Sequence, residues 1–263
     1  MSTDPFAQFK ERQREAWGHF VPLEAMTCAA SFPLVQFAGV KAGESVLDVA
    51  CGTGVATVTA ARRGASVTGI DLSPVLLDRA KFNGGLAGVE IAFREVDVEA
   101  LPFAEGAFDV VMSQFGHIFA PRPASAVSEM LRVLKPGGRI AFATWPPELF
   151  MGRLFSLIQS YVPPAPDIPL PVLWGEPNVI RERLKDSVID LAFERERLLT
   201  PTLSPQHFRA LVESASPQLL ALKDKPERLS AFRKEFERLI AEFMQGNAVK
   251  QDFLLTRAVK PVR

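Results

Sequence analysis

Cysteine is scarce in this chain of 263 residues, which has two, Cys28 and Cys51. So small a number makes neither a disulfide framework nor a metal-ligand set, and a chain of this length can rely on a hydrophobic core instead. A charge excess of one sign is missing as well. Lysine plus arginine and aspartate plus glutamate number 30 each, so no net basic field exists to draw in nucleic acid. No uninterrupted apolar run reaches the roughly 20 residues of a membrane-spanning helix. The first residues include Asp4, Lys10, Glu11, Arg12 and Arg14 without an apolar stretch of the signal-peptide kind. Internal repeats and low-complexity tracts are absent too. The expectation is a single cytoplasmic domain with appendages and no membrane span.

What is present is concentrated in Val46-Leu47-Asp48-Val49-Ala50-Cys51-Gly52-Thr53-Gly54. An apolar strand pattern runs into an acid and two closely spaced glycines. Glycine lets the backbone take positive φ and approach a ligand closely, and the small-residue segment Val55 to Ala61 can begin a helix whose free N–H groups face the loop. The dinucleotide fingerprint needs a third small residue to pack helix on strand. Thr57 stands in that place, and the pattern here is Asp-x-Ala-x-Gly-x-Gly.

About twenty residues beyond the first acid, Ser66-Val67-Thr68-Gly69-Ile70-Asp71 reads as a second strand ending in a carboxylate, the position that accepts ribose hydroxyls in nucleotide folds. Further on come Asp97-Val98-Glu99-Ala100-Leu101-Pro102-Phe103, Phe108-Asp109-Val110-Val111 and Leu134-Lys135-Pro136-Gly137-Gly138. In order and spacing these segments resemble the class I S-adenosylmethionine-dependent methyltransferases, in the branch that includes the ubiquinone and menaquinone biosynthesis C-methyltransferases. The resemblance covers roughly residues 40 to 145. It implies an α/β fold, a Rossmann-like seven-stranded, mostly parallel sheet with helices on both faces. N-terminal helices and helical lid insertions would be added to that sheet.

The resemblance implies S-adenosylmethionine as cofactor and S-adenosylhomocysteine as product. Carried over residue by residue, Ala50, Gly52 and Gly54, with Cys51 and Thr53 between them, line the methionine part, and Asp48 lies near its amino group. Asp71 holds the ribose. Leu72 and Val98 sandwich the adenine while Asp97 accepts from its exocyclic amine, and Ser113 and Gln114 reach the cofactor from the fourth strand. Each role has a plain structural counterpart: Asp48 or Asp97 as a cap or turn residue, Leu72 and Val98 as core. Cys51 reads as a small loop residue, since no base is placed near it in sequence.

Methyl transfer is a displacement at a sulfonium carbon, and orientation alone can lower such a barrier by up to roughly 7 to 11 kcal/mol. A general base is needed only if the acceptor still carries its proton. His117, in Ser113-Gln114-Phe115-Gly116-His117-Ile118-Phe119, is the candidate, with an ordinary pKa of about 6.5 suited to neutral pH. A packed histidine beside Ile118 and Phe119 is the competing reading, and Gln114 and Phe115 could contact the cofactor. Enzymes that methylate exocyclic amines of DNA bases or glutamine carry Asn or Asp-Pro-Pro-aromatic at this point. Here Ser113-Gln114-Phe115-Gly116 stands instead, which favours C-, O- or N-methylation of a small molecule. A fold that uses the cofactor otherwise, or only binds it, and a nicotinamide dehydrogenase are the alternatives.

The flanks are less regular. Residues 4 to 20 read as a polar helix and 22 to 38 as an apolar one, and in related methyltransferases such a helix folds over the cofactor, so Trp17, His19 and Phe20 are candidates to close the site. The cofactor core would be residues 40–146 with 187–203 and 247–263, and residues 147–186 and 204–246 would be insertions. The proline-rich segment from Val162 to Pro177 reads as a lid or as a rigid connector. Phe150, Phe155, Tyr161 and Trp174 would suit an aromatic or lipid-like acceptor. Residues 187 to 199 and 249 to 259 read as strands six and seven, the last antiparallel beside the fifth, as the resemblance implies. Leu229, Phe232, Phe236, Leu239, Ile240 and Phe243 form a helical stripe, either packed on the domain or a homodimer seam.

Overall fold

The apolar run before the first acid forms β1 (Ser45–Val49), and after it come β2 (Ser66–Asp71), β3 (Ala92–Glu95), β4 (Phe108–Gln114) and β5 (Leu134–Thr144). The computed structural model describes residues 4–165, 167–216, 219 and 222–262, so Pro166 of the proline-rich run lies outside the described residues. With β6 (Ile189–Glu196) and β10 (Phe253–Val259) these strands make a seven-stranded sheet in the order β3-β2-β1-β4-β5-β10-β6. β1 pairs in parallel with both β2 and β4, while β10 runs antiparallel between β5 and β6. Consecutive strands therefore diverge on the two sides of β1. Beyond the carboxyl ends at that divergence is where an open α/β sheet leaves a crevice.

The central strands are buried along most of their length, as strands covered on both faces must be: Val46, Leu47, Val49, Val110, Val111 and Met112 have no exposed surface. Among the covering helices are α4 (Val55–Ala61), α5 (Pro74–Ala87) and α6 (Pro123–Val133), the last burying Ala126, Val127, Met130 and Leu131 on one stripe. Pro74 and Pro123 open the latter two helices, in the first turn where a missing N–H costs nothing.

A second hydrophobic cluster is built by α7 (Phe150–Tyr161), α9 (Pro205–Ala215) and α10 (Pro226–Glu242) with the N-terminal segment. Phe232, Phe236, Leu239 and Ile240 are buried in it, so the apolar stripe of α10 faces the protein's own interior. The N-terminal segment is more broken than its sequence suggests. α1 (Ala7–Ala16) passes into a 3-10 helix over Trp17–Leu23, then α2 (Glu24–Cys28) and α3 (Ser31–Phe37). Pro22 lies inside that 3-10 stretch, and a proline blocks continuous α-helix.

Strands six and seven are shorter than the alternation predicts. β7 (Leu199–Pro201), β8 (Met244–Gln245) and β9 (Ala248–Lys250) form a separate three-stranded sheet. The break falls where the Gln251 N–H bonds the Leu198 carbonyl and both side chains turn inward, at 1% and 3% exposure. Val249 therefore belongs to the cap cluster, while Phe253 and Leu255 belong to the main core.

Candidate active site

The loop after β1 owes its shape to three left-handed residues, Ala50 at φ 51°, Gly52 at 57° and Gly54 at 77°. Gly54 caps α4 and packs so closely that a Cβ there would meet that of Ala80 at 2.9 Å. The loop is tied to the end of β2 by Asp71, whose two oxygens accept the N–H groups of Gly52 at 2.8 Å and Ser73 at 2.9 Å. A carboxylate offers about four acceptor positions, more than these two bonds occupy. Burial pushes the Asp71 pKa up against these N–H donors, which favour the charged form.

A cavity opens over this loop and extends along the carboxyl ends of the strands. Ala50, Cys51, Gly52 and Thr53 line it, as do Asp71 and Leu72 after β2 and Asp97 and Val98 after β3. On the far side of β1 it is lined by Gln114 and Phe115 after β4 and by Trp145 after β5. Gln251, ahead of β10, completes that floor. Trp17 and Phe20 of the N-terminal segment close it above, and Met151, Leu154, Phe155 and Val212 enter from the cap.

Four of the expected contacts are placed elsewhere. Asp48 is fully buried beneath the loop, accepting from Thr57 Oγ1 at 2.6 Å, and desolvation raises its pKa to about 7. Gly54 turns the loop but does not line the cavity. Ser113 is a tie between strands, donating to the Val49 carbonyl at 2.8 Å and accepting the His117 N–H at 3.1 Å. Trp174 is packed in the core under Arg183, whose guanidinium carbon stands 4.2 Å from the ring centroid.

His117 is the main correction. Its ring points into the core, 4.7 Å from the rings of both Phe142 and Trp174, and among the described residues neither ring nitrogen has a hydrogen-bond partner. Desolvation, with the nearby Arg183 charge, lowers its pKa to about 3. The side chain does not line the cavity. His19 is exposed, Phe150 is sealed in the cap and Tyr161 bonds Glu235. Of the aromatic residues proposed from the insertions, Phe155 lines the cavity.

Lys10, Trp145 and Gln251 line the cavity and were not singled out from sequence. Trp145 and Gln251 stand at strand ends on the cavity side, a position legible in the sequence. Lys10 carried no such signal. Its Nζ stands 2.6 Å from Asp97, 2.6 Å from Glu99 and 2.9 Å from Asp4. The three carboxylates converge as a metal cluster would, yet an ammonium fills the space between them. Burial disfavours the Lys10 charge, and the carboxylates overcome this and leave its pKa raised.

The site fits an adenosyl ligand with a cationic centre. Backbone at positive φ clears the approach, Asp71 lines the cavity, and among the described residues Gln114 Oε1 is buried without a partner while its Nε2 donates to the Thr27 carbonyl at 2.8 Å.

Comparison with known proteins agrees with this geometry. Residues 47–142 match the methyltransferase domain family. The uncharacterized protein Rv1403c of Mycobacterium tuberculosis is 34% identical over 256 residues, covering 95% of this chain and 93% of that one. A ubiquinone biosynthesis O-methyltransferase of Nitrosococcus oceani is 35% identical over 152 residues, 55% of this chain and 63% of that one. Among solved structures, a Haemonchus contortus phosphoethanolamine N-methyltransferase in complex with phosphomonomethylethanolamine and S-adenosylhomocysteine superposes with a TM-score of 0.63. That structure is 18% identical, and the match covers 98% of this chain and 61% of that one.

Proposed function

Because residues 47–142 belong to the methyltransferase domain family, we propose that the chain uses S-adenosylmethionine to methylate a small apolar molecule, aromatic or lipid-like, held beneath the helical cap. The observation that carries this reading is the division of the cavity. Its charged lining, Lys10, Asp71 and Asp97, lies around the ends of β2 and β3, and the part beyond β4 is walled mainly by Phe115, Phe119, Trp145, Leu154, Phe155 and Val212, with Gln114, Ser216 and Gln251 as its polar groups. A site of this kind, apolar with a few placed polar groups, suits a compact organic ligand.

In this reading Asp71 takes the ribose hydroxyls, Leu72 and Val98 cover the adenine faces, and Asp97 accepts from its amine while Lys10 holds the carboxylate in place. Ala50 to Thr53 present backbone to the methionine part. The cofactor, when bound, supplies an electrophilic methyl carbon. The protein's own contribution is orientation and exclusion of water: Trp17 and Phe20 roof the cavity, and the stacked rings of Phe115 and Trp145 form a flat floor for the acceptor. Among the described residues no single helix is long and apolar enough to cross a membrane, and with balanced charge we place the enzyme in the cytoplasm, without nucleic acid as substrate.

Radiolabelled methyl transfer tests the proposal, with apolar phenols, quinols and alkylamines set against transfer RNA and a protein lysate. Label in the small molecules is the expected result. Label confined to RNA or protein would overturn it.

A further inference from the structure

The three polar side chains in the apolar part of the cavity differ in what they have left to offer. Gln114 stands at the end of β4, next to the loop after β1, with Nε2 on the Thr27 carbonyl. Ser216 is engaged in an interaction of its own. Gln251 lies further out, between β9 and β10, and is 1% exposed. The charged side chains on either side of it, Lys250 and Asp252, pair with each other at 2.8 Å. Its backbone N–H donates to the Leu198 carbonyl at 2.7 Å, and its Nε2 donates to Thr200 Oγ1 at 2.5 Å. Thr200 is itself buried and held in β7 by its pairing with Val249. The carboxamide is therefore fixed by its nitrogen. Among the described residues no donor reaches its oxygen, and the side chain lines the cavity.

Resting on the small-molecule reading above, we propose that Gln251 sets acceptor specificity: its Oε1 takes a hydrogen bond from an O–H or N–H group that the apolar acceptor carries away from the atom to be methylated. The separation follows from the sheet. Adjacent strands lie about 4.8 Å apart, and β10 is two strands beyond β4 and three beyond β1. The backbone at Gln251 is thus roughly 10 Å from the line of β4 and about 14 Å from that of β1, where the loop that receives the methionine part begins. The donor and the methylated atom belong to different parts of the acceptor.

The apolar walls give this one oxygen its discriminating power. Solvent satisfies it until an acceptor fills the chamber. An amide oxygen then left without a donor among aromatic and aliphatic side chains is strongly disfavoured. An acceptor that brings the donor restores the bond, and one that lacks it leaves the oxygen orphaned. Sites built in this way reject a ligand missing the group far more strongly than they reject one extra methylene. Strands rather than a free loop set the position of Gln251, and the bond to Thr200 decides which end of the amide is left for a ligand. The same bond has a plainer role as a clip between the seven-stranded and three-stranded sheets. A clip alone predicts a loss of stability with no change in ligand preference.

Calorimetry in the complex with S-adenosylhomocysteine tests the assignment without requiring turnover. The probes are two matched pairs, 2,6-dihydroxynaphthalene against 6-methoxy-2-naphthol and 8-amino-1-octanol against 8-methoxyoctylamine. In each pair the second member keeps the distal oxygen but has lost its proton. In the wild type the hydroxyl member of at least one pair is expected to bind at least about tenfold more tightly. In Gln251→Leu that preference should vanish through weaker binding of the hydroxyl member, with S-adenosylhomocysteine affinity within about twofold of wild type. Thr200→Val, which loosens the amide but leaves its oxygen, should keep a reduced preference. Equal binding of both members by the wild type would overturn the inference, and so would a Gln251→Leu variant that weakens both members alike and melts lower just as Thr200→Val does. Either result leaves a small-molecule acceptor in place. If no member of either pair binds, the small-molecule reading falls and this inference with it. Where Gln251→Leu does not fold, Thr200→Val decides, and an undiminished preference in that variant would refute the proposal.

Discussion

The ring of Phe115 lies flat on that of Trp145, with centroids 3.9 Å apart and planes 12° apart. Phe115 sits at φ 60°, a region costly for a bulky residue. It is kept there by the bond from its N–H to the Ala143 carbonyl and by the indole beneath it. The ends of β4 and β5 are thus joined by aromatic packing at the acceptor side of the cavity. Trp145→Ala should cost about 3 kcal/mol, the low end for a buried aromatic because one side already faces open space. S-adenosylmethionine affinity should stay within about twofold while kcat/KM for the acceptor falls at least about tenfold, a loss of roughly 1.4 kcal/mol. Calorimetry and steady-state kinetics separate the two, and an equal loss of both would place the stack under the cofactor instead.

Asp71 lines the cavity and also accepts the Gly52 N–H, so its removal strikes twice. A hydrogen bond to a charged group contributes roughly 1.5 to 3 kcal/mol, and Asp71→Ala should weaken S-adenosylmethionine binding at least about tenfold. Unchanged affinity by calorimetry would mean that the ribose is held elsewhere.

Gly116 allows the loops after β1 and β4 to touch. A Cβ there would fall 2.3 Å from the Ala50 carbonyl oxygen and 2.6 Å from the Ala50 Cβ, contacts that backbone cannot relieve without moving the cofactor loop. Gly85, inside α5, has nothing within 4 Å of the equivalent point. Gly116→Ala is expected to lower the Tm and to weaken cofactor binding. Gly85→Ala should stabilise the fold by about 0.5 to 1 kcal/mol with cofactor affinity intact. Thermal melts with and without S-adenosylhomocysteine distinguish these outcomes.

The fold was legible in the sequence because central parallel strands must be apolar on both faces and must end at turns. Val46 to Val49 and Phe108 to Met112 announce themselves in that way, and the acids that follow such strands locate the cavity rim. The same reasoning went astray for Asp48, Ser113 and His117, since a position at a strand end does not reveal whether the side chain turns toward the crevice or into the core. Trp174 differs for a similar reason: the sequence does not show whether its ring turns to the cavity, and it is buried against His117 and Phe142 instead. The cap was illegible in detail. Val212, Leu154 and Lys10 come from ordinary amphipathic helices, and what brings them together is the packing of one hydrophobic cluster on another, which no local pattern encodes.

The two buried ionisable groups on the core side predict opposing pH dependences. His117 has its pKa lowered from 6.5 to about 3, so the unfolded chain binds the extra proton and stability is lost as pH falls from 6.5. Asp48 has its pKa raised from 3.8 to about 7, so the native state holds the extra proton and stability is lost as pH rises from 3.8 to 7. Each slope is at most about 1.4 kcal/mol per pH unit. In urea unfolding between pH 4 and 7, His117→Leu should gain on the wild type as the pH falls, and Asp48→Asn should gain as it rises. His117→Leu should also turn over within about twofold of wild type at neutral pH, a change of roughly 0.4 kcal/mol. A large loss of turnover with unchanged stability would return the histidine to the mechanism.

Lys10 ties α1 to the acids after β3, Asp97 and Glu99. The Glu99 side chain, 1% exposed, has Lys10 and Arg122 as its cationic partners, and Asp97 has Lys10. Replacing Lys10 with methionine keeps the aliphatic stem that lines the cavity but removes the cation at the centre of Asp4, Asp97 and Glu99; Arg122 still pairs with Asp4 and Glu99, while Asp97 loses its cation and faces two like charges, which is unfavourable. Undocking of α1 is the expected relief. Lys10→Met should therefore speed trypsin cleavage at Arg12 and Arg14 and weaken S-adenosylmethionine binding, and Asp97→Asn alone should weaken binding through the adenine. If the two residues act as one unit, the double variant will bind better than the sum of the single losses allows, with a coupling of about 0.5 to 3 kcal/mol. Strict additivity, with cleavage no faster than in the wild type, would show that α1 is held by its apolar contacts and that Lys10 is only a solvated neighbour of the site.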